Sequence, residues 1–436
     1  MIVPLSVKIA NLQHSSIFRR DNSMTATTTA TGTAPLAGIR VLDMSRILAG
    51  PWAGQTLADL GATVIKIERP GLGDDTRRWG PPYLADSNGD ATAEAAYYLA
   101  CNRGKQSLTV DITQPEGQEI IRKLALESDV VLENYKVGGL KKYRLDAPSL
   151  RALNPKLIYC SITGFGQTGP YAHRAGYDFL IQAMGGLMSI TGQPEAEGGE
   201  PTKVGVAVTD LFTGLYAVIA IQAALIRRQQ CGTGEHIDLS LLETSTAILA
   251  NQATNYLVGG VVPGLLGNAH PNIVPYQAFA TADGHMILAV GNDGQFRAFC
   301  EIADNPEWAD DPRFASNAQR VAHRVELCAA IAEVLKTRTT QHWLEQLETR
   351  SVPCGPINRI DQVFANEHLL QRGMLQPAPH PQQPDLKLPR NPIHFAEAKM
   401  NQNSPPPLLG EHSDALLKKM GYSDQEIAHL RETGVV

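Results

Sequence analysis

"PLAGIRVLDMSRILAGPWAGQTLADLGATVIKIE", residues 35–68, decides the fold class. Ile39, Val41 and Leu42 make a short apolar run, the pattern of a buried strand. Pro51 is placed to open the helix that follows, and Gly61 to close it. "ATVIKIE" (62–68) is β-branched and short, a second strand. Strand, helix and strand within about thirty residues form a βαβ unit, which implies parallel pairing and a right-handed crossover.

The alternation continues outward. "QSLTVDI" (106–112), "DVVLENY" (129–135) and "KLIYCSITGFG" (156–166) read as strands, with "PEGQEIIRKLALES" (115–128) and "SLRALNP" (149–155) as helices between them. The expectation is an α/β, Rossmann-like doubly wound large domain over 35–257. After it the character changes. "YQAFATADGHMILAVG" (276–291) reads as a hairpin turning at Asp283-Gly284, and helical patterns follow. A smaller α+β domain is expected at 258–365, with a Pro-rich segment, 366–436, returning to the large domain. Residues 1–34 include "TATTTATGTA", which cannot bury a core, and read as a disordered extension, a targeting segment or an early start.

Composition removes several function classes. A net charge of −6 carries no polyanion-binding signature, which argues against a nucleic-acid partner. Six cysteines without a CxxC pair argue against a zinc site, any other bound metal of that kind, or a disulfide framework. A reduced, cytoplasmic setting fits. The longest apolar stretch, Leu211 to Ile226, is interrupted by Thr213, Gly214 and Gln222 and falls short of the ~20 apolar residues a bilayer span needs, so no membrane role is expected. The first turn, "RILAGPWAG", lacks the GxGxxG spacing of a dinucleotide site, although Glu68 ends the second strand where a ribose-binding acid would sit.

Cations gather past three strand ends: Arg69, Arg77 and Arg78; Arg103 and Lys105; Lys136, Lys141, Lys142 and Arg144. In an α/β sheet those ends converge on the ligand crevice, so the clustering favours a phosphate-bearing ligand over solvated surface charge. "VAVTDLFTGLYAVIAIQAALIRRQQ" (206–230) reads as a long helix with Thr209 as its cap and Asp210 in its first turn. Asp210 has two readings on spacing alone: a helix starter, or a nucleophile that the helix terminus keeps ionised. "HRAGYDF" adds His173, Tyr177 and Asp178, and "GNAHPN" adds His270 and Asn272, weak signals by themselves.

Together these segments, with "NRGKQSLTVDI", "VLENYKVGGL", "NPKLIYCSITGFGQTGPY", "TDLFTGLYA" and "PPPLLGEH", resemble the class III coenzyme A transferases from about Leu36 to Val436. The resemblance implies an interlocked homodimer, Asp210 as nucleophile through aspartyl anhydride and aspartyl-CoA thioester intermediates, and no cofactor, coenzyme A being part of the substrate. It implies CoA contacts at Arg69, Val110, Asp111, Ile112, Thr113, Asn134, Tyr135, Lys136, Lys142, Ala175, Gly176, Tyr177 and Asp178. It also places the oxyanion loop in "GNAHPN", with His270 and Asn272. Within the family the segments look most like the branch that carries CoA from succinyl-CoA to glutarate; Arg46 or His270 would then meet the acceptor's distal carboxylate. Leu48 stands where the formyl-CoA branch has glutamine, which argues against formyl or oxalate chemistry. The alternative is a 2-methylacyl-CoA racemase of the same family. Tyr177 occupies that branch's histidine position and is a poor proton shuttle at neutral pH.

Overall fold

The structure, a computed structural model, describes residues 33–436. The extension expected at 1–34 lies, for residues 1–32, outside the described residues. β1 (Arg40–Asp43) and β2 (Thr63–Glu68) flank the helix Ala49–Asp59, as the opening stretch predicts. A hairpin, β3 (Tyr83–Ala85) with β4 (Ala91–Ala95), comes next and has no counterpart in the sequence reading. β5 (Gln106–Thr109), β6 (Val130–Glu133), β7 (Ile158–Thr163) and β8 (His236–Ser240) follow.

Six of these strands hydrogen-bond in the order β5-β2-β1-β6-β7-β8, every pair parallel. Counted within this sheet alone, that is the doubly wound order 3-2-1-4-5-6, which reverses direction between β1 and β6. The continuous apolar runs have their explanation in the two faces. Val41, Val64, Val130, Leu132 and Ile158 point to one face, under the helices Ala49–Asp59 and Val208–Cys231. Leu42, Met44, Leu108, Val131 and Tyr159 point to the other, under the helix Pro115–Glu127 and the C-terminal helices Ser413–Lys419 and Asp424–Glu432. A strand buried on both faces needs apolar residues at every position rather than every second one. Each such side chain contributes about 1.5–3 kcal/mol by leaving water.

The C-terminal segment is tied to the large sheet by its backbone. His412 N–H donates to Ser107 O at 3.0 Å, and Asp111 N–H donates to Val435 O at 2.8 Å. A separate antiparallel sheet is built from β9 (Tyr276–Ala280), β10 (His285–Ala289) and β11 (Cys354–Pro356), and the β9–β10 connection spans the expected Asp283-Gly284 turn. Its own core includes Phe279, Met286, Phe296, Phe299 and Trp343. β12 (Leu375–Pro377) pairs with β13 (Lys387–Pro389).

Two helix starts differ from expectation. The first helix begins at Ala49, so Pro51 is its third residue, where its missing N–H would have been unpaired in any case. The long helix begins at Val208 with Ala207 at the cap position; Thr209 is inside it. At 24 residues that helix, among the described residues, is long and apolar enough to cross a membrane by length and composition, longer than the Leu211–Ile226 stretch on which the expectation rested; Thr209, Thr213 and Gly214 sit on its packed face. Ala217, Val218, Ile221 and Leu225 on that face pack against the sheet.

Candidate active site

The C-terminal ends of β1, β2, β5, β6 and β7 open into a cleft of about 680 Å3. It lies where the strand order reverses, the position at which open α/β sheets bind ligands. Each end supplies residues named from the sequence. β1 leads to Arg46 and Leu48, β2 to Arg69, and β5 to Val110, Asp111, Ile112 and Thr113. β6 leads to Asn134, Tyr135, Lys136 and Lys142; beyond β7 come Ala175, Gly176 and Tyr177. Asp210 completes the lining from the front of the long helix.

Two close backbone approaches place Asp210 there. A side chain on Gly164, at the end of β7, would overlap the backbone of Gly176, and the reverse also holds, so the two loops touch only because both are glycine. That contact seats the "GYD" segment at the cleft wall. A side chain on Gly214 would meet Ala49 O at 2.7 Å, so the long helix and the first helix lie together at their N-terminal ends. Gly214 is one turn after Asp210, on the same side of the helix.

The cap that Thr209 was expected to provide comes from Asp178. Its Oδ1 accepts from Thr209 N–H at 2.8 Å, from Asp210 N–H at 3.3 Å and from the Thr209 hydroxyl; its Oδ2 accepts from Gln182. Asp178, named as a CoA contact, thus uses its carboxylate to cap the long helix and lies outside the cleft lining. Asp210 differs: among the described residues no donor reaches its carboxylate. Burial, and secondly the charge of Asp178, push its carboxyl up to about 7. The helix terminus was expected to keep Asp210 ionised; burial outweighs it. Glu133, beside Asn134, is likewise pushed up to about 7 by burial, but its Oε2 accepts Tyr135 N–H at 2.8 Å.

The cations divide into two sets. Arg46, Arg69, Arg78, Lys136, Lys142 and Arg174 line the cleft. Arg174, overlooked beside His173, stacks over Phe165 and Tyr171 at 5.1 and 4.8 Å. Arg46 pairs with Asp75 at 3.0 Å. Arg77, Arg103 and Lys105, expected at the phosphate site, are instead buried in ion pairs with Glu68 and Glu94, with Asp59, and with Asp43. Glu68 is therefore no ribose ligand: it also accepts from the Ser107 hydroxyl at 2.7 Å and Asp74 N–H at 3.0 Å. His270 and Asn272 are not part of the cleft lining within this chain. Asn272 N–H donates to His270 Nδ1 at 3.1 Å, and its side chain bonds to Asn251 and Asn255. Asn134, named as a CoA contact, spends its amide on the Arg46 backbone, accepting from its N–H at 2.9 Å and donating to its carbonyl at 2.7 Å.

Sequence comparison matches this geometry to known proteins. The family described as CoA-transferase family III matches residues 36–413. A succinate–glutarate CoA-transferase of Agrobacterium fabrum is 52% identical over 386 residues, 88% of this chain and 96% of that protein. A succinyl-CoA:glutarate CoA-transferase of Homo sapiens is 44% identical, over 92% of this chain and 90% of that one. In structure, a CAIB/BAIF family protein from Brucella suis superposes with a TM-score of 0.77 at 50% identity, over 89% of this chain and all of the other. The chain belongs to CoA-transferase family III.

Proposed function

We propose that this enzyme carries coenzyme A from succinyl-CoA to glutarate, with Asp210 as the covalent relay. One observation carries the role of Asp210: it is a cleft-lining carboxylate that no donor among the described residues engages, set among cations at the sheet's switch point. The names of the Agrobacterium and human relatives support the substrates.

In the forward sequence the Asp210 carboxylate attacks the thioester carbonyl of succinyl-CoA. CoA leaves as thiolate, and a succinyl–aspartyl anhydride remains. The thiolate attacks the aspartyl carbonyl, expelling succinate and forming an aspartyl-CoA thioester. A glutarate carboxylate attacks that thioester and again frees the thiolate, which takes the glutaryl group from the second anhydride and restores Asp210. Each step exchanges one acyl partner for another, so the cycle needs only a correctly held carboxylate and the exclusion of water. Arg69, Lys136 and Lys142 are suited to the phosphates of CoA as charge-assisted donors. Arg46, half-exposed and paired with Asp75 through one of its nitrogens, keeps donors for the acceptor's distal carboxylate.

The racemase alternative is not favoured: Tyr177 stands where a proton-transferring histidine would be needed, and the similar proteins are named as CoA-transferases. We further propose that the chain works as a dimer. Val206, Ile219, Leu257, Val258, Val261 and Val262 are all more than half exposed, an apolar surface that a second copy would cover.

The test is a panel of carboxylic acids offered with succinyl-CoA and read by mass spectrometry. We expect glutaryl-CoA to form fastest. Absence of any new acyl-CoA, with α-proton exchange of a 2-methylacyl-CoA in heavy water, would point to the racemase instead.

A further inference from the structure

Ile47 lines the cleft together with its neighbours Arg46 and Leu48, and its φ is +73°. Among the described residues five non-glycine residues have positive φ, and Ile47 is the β-branched one. A β-branched side chain in the left-handed region crowds its own backbone and stays there only where the surroundings hold it.

Those surroundings are specific. The Asp74 carboxylate accepts from Ile47 N–H at 3.2 and 3.3 Å, from Thr76 N–H at 3.0 Å and from the Thr76 hydroxyl at 2.8 Å. The Lys66 ammonium donates to Asp74 at 2.8 Å and also to Ser45 O at 3.0 Å. One buried ammonium thus grips both sides of Ile47: the preceding backbone directly, and the Ile47 amide through Asp74. Both side chains are wholly out of solvent. Burial alone would raise the Asp74 carboxyl, yet the charge and hydrogen bond of Lys66 hold it down at about 2. The pair is therefore charged at every pH at which the enzyme would be used. Asn134 fixes Arg46 from the β6 side, so successive backbone groups of residues 45–47 are all engaged.

The loop so held runs straight into the helix start that touches the Asp210 helix through Ala49 and Gly214. Arg46 and Leu48 thus line the cleft from a clamped loop that leads directly to the Asp210 helix. We infer that Lys66 and Asp74 are positioning residues: they hold Ile47 left-handed and so set Arg46 and Leu48, which select the acceptor acid. This rests on the transfer to glutarate proposed above.

Two readouts test it. Hydrogen exchange of the intact enzyme reports the clamp itself: in Asp74→Asn, amides of residues 45–48 should exchange at least about tenfold faster than in the wild type. Steady-state transfer from succinyl-CoA reports its purpose. Asp74→Asn should raise the KM for glutarate about tenfold while the KM for succinyl-CoA changes less than about threefold. Ile47→Gly alone measures what its own cleft-lining side chain contributes and serves as the baseline, since the clamp persists. Combined with Asp74→Asn it should recover at least a third of the loss, because glycine enters the left-handed region without being held. If Asp74→Asn does not fold, Lys66→Met with Asp74→Asn removes both buried charges and carries the same expectation. Unchanged exchange, equal rises in both KM values, or the same penalty with and without Ile47→Gly each overturn the inference. A wild-type enzyme that makes no glutaryl-CoA overturns the transfer reading and the acceptor role with it; an active one whose Asp74→Asn variant keeps its glutarate KM overturns the clamp alone.

Discussion

The buried interior of the large domain, its floor, and the rim of the cleft are built from the same residue types and behave as opposites. In the floor, Lys66, Arg77, Arg103 and Lys105 are buried, and each meets a carboxylate at 2.6–2.9 Å. At the rim, Arg69, Lys136 and Lys142 form no ion pair among the described residues; Asp210, whose carboxyl burial pushes up to about 7, likewise has no donor on its carboxylate among them. A buried charge needs its partner, since an unpaired ion out of water costs several kcal/mol. A rim charge gives up little by staying open to solvent and can then take a ligand. Charge in the floor is engaged by partners within the protein; charge at the rim stays available to a ligand.

Substitutions can break this division. The largest effect should come from Asp210. Asp210→Ala should lower transfer to glutarate by about 10^3-fold or more, with melting temperature essentially unchanged, because the missing group is a covalent participant rather than a support. Next is the floor. Arg77→Met leaves Glu68 and Glu94 buried without their shared cation, and should cost about 3–5 kcal/mol of stability by chemical denaturation. If Arg77→Met were as stable as the wild type, the floor would not be structural in the sense argued.

Smaller effects sharpen the contrast. In the proposed cycle Asp210 attacks as the carboxylate, and its carboxyl is pushed up to about 7, so the protonated form, which cannot attack, dominates below that pH. The kcat/KM for succinyl-CoA should therefore rise with pH, about tenfold per unit below 7, and level off above. A profile already flat at pH 5 would show that Asp210 is ionised far below the expected range. The smallest effect belongs to a single rim cation. Arg69→Ala should raise the KM for succinyl-CoA about tenfold and leave the melting temperature within about one degree.

How much of this could be read from residue order follows the same division. The βαβ repeat, the strand-end cations and Asp210 were legible because apolar runs and helix starts are local patterns. What escaped was decided by distant partners. Arg77 and Arg78 are neighbours in sequence, yet Arg77 turns inward to Glu68 and Glu94 while Arg78 lines the cleft. Thr209 is a sound cap by type, but Asp178, 31 residues earlier, takes that role. The titration of Asp210 was misjudged for a related reason: a helix start is visible in sequence, whereas the burial that outweighs it arises from packing. Arg174 does carry a usable signal in the sequence, a cation two residues before Gly176 and close to the aromatic residues Phe165, Tyr171 and Tyr177.

The central claim is that Asp210, and no other carboxylate, becomes covalently bound during turnover. The direct measurement is hydroxylamine trapping of the enzyme with succinyl-CoA in the absence of acceptor acid, followed by peptide mass spectrometry. The account predicts a hydroxamate on Asp210, dependent on succinyl-CoA and absent from Asp210→Ala. A hydroxamate on Glu133 or another carboxylate, or full transfer activity with no trapped species at Asp210, would contradict it.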